Sequence, residues 1–187
     1  MIGLMFATGM RVGEAFKLKL LDVDIKRRVI EVRNTKFNKS RYVPISRSTA
    51  EHMSAYMRQR EKAGFSVKPE SFVFITQRGT KIKHPAFSTV FLAILRSTGI
   101  RGPKGQRGPR IHDLRHTFTV NRLMAWYRKR VNLGCKLPLL STYMGHCNVT
   151  GTQVYLQATA ELLESAGHRF HEHFAIPTSR RKNREKS

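Results

Sequence analysis

Four short strings in this chain combine residue types that handle anions and protons. The first is Ile111-His112-Asp113-Leu114-Arg115-His116. His112 and Arg115 are spaced i, i+3, so on a helix they share a face. At a helix N-terminus the free N–H groups and the dipole add their own attraction for an anion. The second is Thr8-Gly9-Met10-Arg11-Val12-Gly13-Glu14, where a glycine turn delivers Arg11 to the start of a helix. In the third, Tyr143-Met144-Gly145-His146, a glycine frees the backbone at a helix end and presents His146. The fourth is Tyr155, nine residues further on. Arginine's planar fork gives two parallel hydrogen bonds to phosphate oxygens. A tyrosine hydroxyl has an ordinary pKa of about 10, and clustered cations favour its phenolate. A neutral histidine can accept the proton. Together the arginines and histidines have the chemistry to hold a phosphate group and stabilise charge on its oxygens without a metal ion. The sequence has no paired-carboxylate cluster, and 12 acidic residues supply few ligands for a two-metal nuclease.

The composition agrees with an anionic partner. Lys and Arg number 35 against 12 Asp and Glu, a formal net charge of +23 in 187 residues. Such a charge opposes compaction unless a partner neutralises it. Nucleic acid is the first candidate, because cation-rich surfaces gain affinity by releasing condensed counterions. A basic protein whose charge serves no partner is the plainer alternative. With 40% hydrophobic residues the chain can build one core. Cys135 and Cys147 form no CxxC pair, which fits a reduced cytoplasmic protein. No apolar run reaches a membrane span. The apolar start, 1–6, lacks the basic flank of a signal peptide and reads as the last turns of a helix.

The elements that must position these strings can be read in outline. A helix end covers 1–8, stopped by Thr8-Gly9, and a second helix covers 11–20. β-branched runs at 29–33 and 41–45 flank a polar stretch at 34–40, a hairpin pattern. Ser48 and Thr49, followed by Glu51, cap a helix to about residue 62 that ends at Gly64. Residues 71–76 read as a short strand, and Pro85 opens a helix to Ser97. Residues 99–110 alternate Gly and Pro with Arg101, Lys104, Arg107 and Arg110, so they form a basic loop. That loop either lies along a phosphate backbone or is simply solvated. Helical patterns resume at 111–130, 137–144 and 160–174. The expected fold is therefore α+β, mainly helical, with a small antiparallel β-sheet. Residues 1–176 read as one domain and 177–187 as a basic disordered tail.

Taken in order, Arg11, Lys36, His112-x-x-Arg115, Gly145-His146 and Tyr155 closely resemble the tyrosine recombinase (phage integrase) family. The strings TGMRVGE, TKFNKSRYVPI, HDLRHTF, YMGH and VYLQ carry the resemblance over about residues 4–174. The stretch LPLLSTYMGH, with YLQATAELLE after it, is similar to a branch associated with mobile elements. The resemblance implies a site-specific recombinase that cuts and rejoins double-stranded DNA through a 3′-phosphotyrosine, acting as a homo-tetramer. It implies that Tyr155 is the nucleophile and that Arg11 and Arg115 hold the scissile phosphate. Lys36 would protonate the leaving 5′ hydroxyl, His112 would handle protons or bind phosphate, and His146 would donate to the phosphate. Glu14 would support the first arginine. A covalent intermediate preserves the phosphodiester energy, so no nucleotide cofactor is expected. No GxxxxGK[ST] string is present. A bacterial cytoplasmic, nucleoid-associated location follows from the same resemblance.

Several residues compete for these roles. Tyr143 is a rival nucleophile, disfavoured because it precedes the histidine. Lys39 and Arg41 compete with Lys36. His116 reads as a packed helix residue, and Asp113 as a favourable charge at a helix N-terminus. His168, His171 and His173 have no Cys or acid in ligand spacing and read as a solvated face. An apolar stripe at Leu162, Leu163, Ala166, Phe170 and Phe174 would pack on its own domain or, by the resemblance, on a neighbouring protomer. Family members carry an N-terminal helical domain that is not found in this sequence, so a truncated catalytic domain is expected. The stretch between His116 and Gly145 is also longer than the family pattern, with 126–134 as the extra material. A non-cutting DNA-binding remnant is the second functional reading.

Overall fold

The computed structural model describes residues 1–33 and 40–145. Lys36, His146, Tyr155, the expected helix at 160–174 and the tail at 177–187 lie outside the described residues. The described part is mainly helical with one three-stranded antiparallel sheet, as the residue pattern predicts.

Helix α1 (Ile2–Thr8) stops where Gly9 turns left-handed, at φ 63°, and sends its N–H to the Met5 carbonyl. A Cβ at Gly9 would also lie 2.5 Å from Phe118 Cδ1, so glycine is needed for both conformation and space. Helix α2 (Val12–Lys17) begins at Arg11, whose backbone N–H donates to the Glu14 carboxylate at 2.9 Å. That bond is half of a capping box and places an acid in the first turn.

The helix expected over 11–20 is therefore shorter. At Leu18 the backbone turns extended, and the Leu18 carbonyl accepts the Val73 N–H at 2.8 Å. The Leu20 N–H donates to the Ser71 carbonyl, and a 3₁₀ turn (Leu20–Asp22) follows. Pairing with residues 71–73 thus outweighs the helical pattern there. The strand expected at 71–76 is a correction on the same ground. It is divided between two isolated bridges, Lys19↔Phe72 and Ile75↔Lys81, and forms no extended ladder.

Strands β1 (Val23–Asp24), β2 (Val29–Val32) and β3 (Arg41–Pro44) lie in that order. Ile30 faces Val43, both buried, and Val32 faces Arg41 on the last rung before residues 34–39. Helix α3 (Arg47–Lys62) is capped by Ser46, whose hydroxyl accepts the Thr49 N–H, slightly earlier than Ser48 and Thr49 suggested. Helix α4 (His84–Ser97) has Pro85 in its first turn and buries Phe87, Phe91 and Leu95. Phe87 meets Phe16 edge-on at 5.6 Å.

Helix α5 (Asp113–Arg128) packs along α1. Helix α6 (Leu133–Met144) begins earlier than the expected residue 137, because the Asn132 side chain accepts the N–H groups of Gly134 and Cys135. Pro138 sits inside α6 and cannot donate to the residue four before it, Gly134, near the helix start. The material at 126–134 is thus the end of α5, a tight turn and the start of α6. Phe118, Leu123, Leu137, Leu140 and Met144 form a second apolar cluster between α5 and α6.

Candidate active site

Three arginines converge on the C-terminal end of α6. The last carbonyls of a helix lack intrahelical donors and carry the negative end of its dipole, so they attract cations. Arg41 Nε donates to the Tyr143 carbonyl at 2.8 Å. Arg115 Nη2 donates to the Met144 carbonyl at 2.6 Å, and its Nη1 to the Gly9 carbonyl at 2.7 Å. Arg11 Nη2 donates to the Gly145 carbonyl at 2.9 Å, with Nη1 3.4 Å from the Met144 carbonyl. Arg11 and Arg115 are thus brought to one carbonyl from the ends of different helices.

Gly145 makes this approach possible. Its φ is 67°, and a Cβ there would lie 3.0 Å from Arg41 Nη1 and 3.3 Å from Arg11 Nη1. Glu14 supplies the counter-charge. Its Oε1 accepts from Arg41 Nη1 at 2.9 Å and Arg11 Nη1 at 3.2 Å, while Oε2 accepts from Arg41 Nη2 at 2.8 Å. Burial by itself would raise the Glu14 pKa. The Arg41 hydrogen bonds and charge, with help from Arg11, override that and hold the carboxyl below its usual range.

Exposure separates the roles of the cations. The Arg11 side chain is 36% exposed, against 10% for Arg41 and 9% for Glu14. Arg115 is 3% exposed. Arg11 and His112 both line a groove of about 370 Å³, with Glu14, Lys17, Glu31 and Arg33. His112 is the N-cap residue of α5, and its ring meets His116 edge-on at 4.6 Å. Its pKa is lowered, first by desolvation, then by His116 and Arg115. At neutral pH it is therefore an uncharged imidazole, suited to accept a proton or donate one hydrogen bond.

Other candidates separate cleanly. Tyr143 stacks on Phe118 at 5.6 Å, and burial pushes its phenol up to about 12. Its hydroxyl is therefore harder to ionise than that of an ordinary tyrosine. Arg41, a rival for the hairpin role, is committed to Glu14 and the α6 carbonyl. Its place in the arginine cluster was not read from the sequence. Its position directly after the polar stretch 34–40 was the available signal. In the basic loop, Arg101 turns inward and donates to the carbonyls of Pro109 and Gln106. Lys104, Arg107 and Arg110 are exposed. Among the described residues there is no group of His, Cys, Asp or Glu able to hold a metal, and no helix long and apolar enough to cross a membrane.

Comparison with known proteins places this geometry. A Sinorhizobium fredii protein named "Putative integrase/recombinase y4rB" is 39% identical over 166 residues, covering 89% of this chain and 53% of its own. Tyrosine recombinase XerD of Ralstonia nicotianae is 28% identical, covering 88% of this chain and 49% of its own. The crystal structure of XerA recombinase superposes with a TM-score of 0.63 at 26% identity, over 81% of this chain and 50% of that one. The chain thus spans about half the length of these relatives. Residues 1–161 match the phage integrase family model, and the chain belongs to that family.

Proposed function

We propose that this chain is the catalytic domain of a DNA strand-transfer enzyme that cleaves and rejoins DNA through a phosphotyrosine. The observation that carries this reading is the convergence of Arg11 and Arg115 on the Met144 carbonyl, with Arg11 and the neutral His112 lining one groove. Cations arranged before the substrate arrives stabilise charge that develops on phosphate oxygens, without reorganisation during the reaction. His146, next in sequence after Gly145, donates a hydrogen bond to the phosphate. Tyr155 is the nucleophile: its phenolate oxygen bonds to phosphorus as the 5′ oxygen leaves, and Lys36 gives that oxygen a proton. Attack by the 5′ hydroxyl reverses the step and restores the phosphodiester, so no energy source is consumed. Glu14 supports Arg11, while Lys104, Arg107 and Arg110 contact the DNA backbone. The protein works as a homo-tetramer on double-stranded DNA, in integration or transposition of a mobile element. The similarity to an integrase/recombinase and to XerD supports this class of reaction.

The test is an SDS-stable protein–DNA adduct on nicked duplexes from the DNA flanking the gene, without added metal or ATP. Wild type should form it, and Tyr155→Phe should not, with DNA binding retained by both. An adduct surviving in Tyr155→Phe would reject Tyr155 as nucleophile. Binding by wild type with no adduct on any duplex tried would leave a DNA-binding protein that does not cut.

A further inference from the structure

We infer that Arg41 is a positioning residue that keeps Arg11 available to the phosphate by taking the fork of Glu14, so that the acid supports the Arg11 side chain with a single contact only. This rests on the phosphotyrosine reading above and deepens it. A carboxylate offers about four lone-pair sites, and the Glu14 contacts match that number. Oε1 takes Arg41 Nη1 and Arg11 Nη1, and Oε2 takes Arg41 Nη2 and the Arg11 backbone N–H. The Arg41 fork is two-pronged, at 2.9 and 2.8 Å. The Arg11 side chain makes one longer contact, at 3.2 Å.

The geometry therefore divides one acid unequally between two arginines. The less exposed arginine takes the fork, and the more exposed one, which lines the groove, is left loosely paired with the acid. Without Arg41, two lone pairs on Glu14 lose their donors. The guanidinium already in contact is Arg11, and turning to pair with Glu14 in a fork would take it from the α6 carbonyls and compensate its charge. Arg41 also ties the cluster to β3, through its place opposite Val32, and to α6, through the Tyr143 carbonyl. The hairpin flanking residues 34–39 and the phosphate cations thus share one brace.

A role in stability alone and a role in protecting Arg11 differ in what a second substitution does. The full chain would be compared as wild type, Arg41→Ala, Arg41→Lys and the double variant Arg41→Ala with Glu14→Gln. Two quantities would be read: the first-order rate of adduct formation, and the affinity for inorganic phosphate followed by the Arg11 Nε–Hε NMR signal. Arg41→Ala should slow adduct formation about 100-fold, the scale of losing one transition-state donor, and should weaken phosphate binding. Arg41→Lys should restore only part, because an ammonium cannot form the fork. The double variant should recover at least about tenfold of the lost rate, a gain equivalent to returning part of that donor's contribution, along with phosphate affinity. A double variant slower than Arg41→Ala would overturn the inference, as would equal phosphate affinity in wild type and Arg41→Ala. Should Arg41→Ala fail to fold, Arg41→Lys with and without Glu14→Gln makes the same comparison. If wild type forms no adduct, the phosphotyrosine reading fails, and the phosphate titration still decides the role of Arg41.

Discussion

Glu14 ties the cluster together, because two guanidinium groups and a backbone N–H meet on its two oxygens. Replacing it with Gln leaves cations at a buried site with weaker acceptors. Breaking a buried pair of this kind costs about 3 kcal/mol, measurable as a lower urea midpoint at pH 7. The pH dependence follows from the lowered carboxyl pKa. The unfolded chain binds the proton first as pH falls, so stability from Glu14 is complete above the ordinary carboxyl range. It is lost as pH drops through the depressed folded value. Glu14→Gln should therefore lose less stability than wild type between pH 6 and pH 3, and equal losses would refute this assignment. His112 has a lowered pKa of its own, from desolvation first. Acidification through that value charges the imidazole, so a rate that needs neutral His112 should fall with pH while His112→Gln shows no such limb.

At the scale of elements, α6 acts through its two ends differently. Its C-terminal carbonyls hold the arginines, and its N-terminus is held by the Asn132 cap. Gly145→Ala introduces strain of about 1–2 kcal/mol at a left-handed position and pushes on Arg41 and Arg11. Adduct formation should fall by far more than the unfolding midpoint suggests. Asn132→Ala should cost about 1 kcal/mol and leave the adduct rate well below the melting temperature unchanged. If both variants lose rate in proportion to stability, the α6 end is a structural support only. Helices α1, α4 and α5 were legible from Gly9, Pro85 and the apolar spacing, since local signals sit where the elements end. Residues 18–20 and 71–73 were not, because each pairs with partners distant in sequence. No local pattern records that the Leu18 carbonyl accepts the Val73 N–H.

For the whole molecule, the charge of +23 fits the proposed binding to DNA through its phosphates. Each phosphate contact steepens the fall of affinity with salt, by about 0.9 in the log–log slope. Lys104→Gln, Arg107→Gln and Arg110→Gln should each weaken DNA binding evenly across sequences and flatten that slope by about one unit or less. Arg101→Gln should act differently, by loosening a loop whose Gln106 and Pro109 carbonyls it braces. A slope unchanged in the triple variant of Lys104, Arg107 and Arg110 would remove the loop from the interface.

The sequence by itself determined the family, the mainly helical α+β class and the order of Arg11, His112, Arg115, His146 and Tyr155. Residue type and short-range spacing carry those properties, and Gly9 and Gly145 announce their turns through a requirement only glycine meets at low cost. The tertiary structure decided which groups face the groove and which brace it. Arg11 and Arg41 are alike in type, yet one is partly exposed on the groove and the other is locked on Glu14 and the Tyr143 carbonyl. Tyr143 is a tyrosine in a suggestive string, yet burial against Phe118 holds its proton in place. Desolvation and charge pairing depend on neighbours that the fold brings from more than a hundred residues away, as Arg41 and Tyr143 are. Those neighbours, and not the residue type, set whether a side chain can meet a substrate.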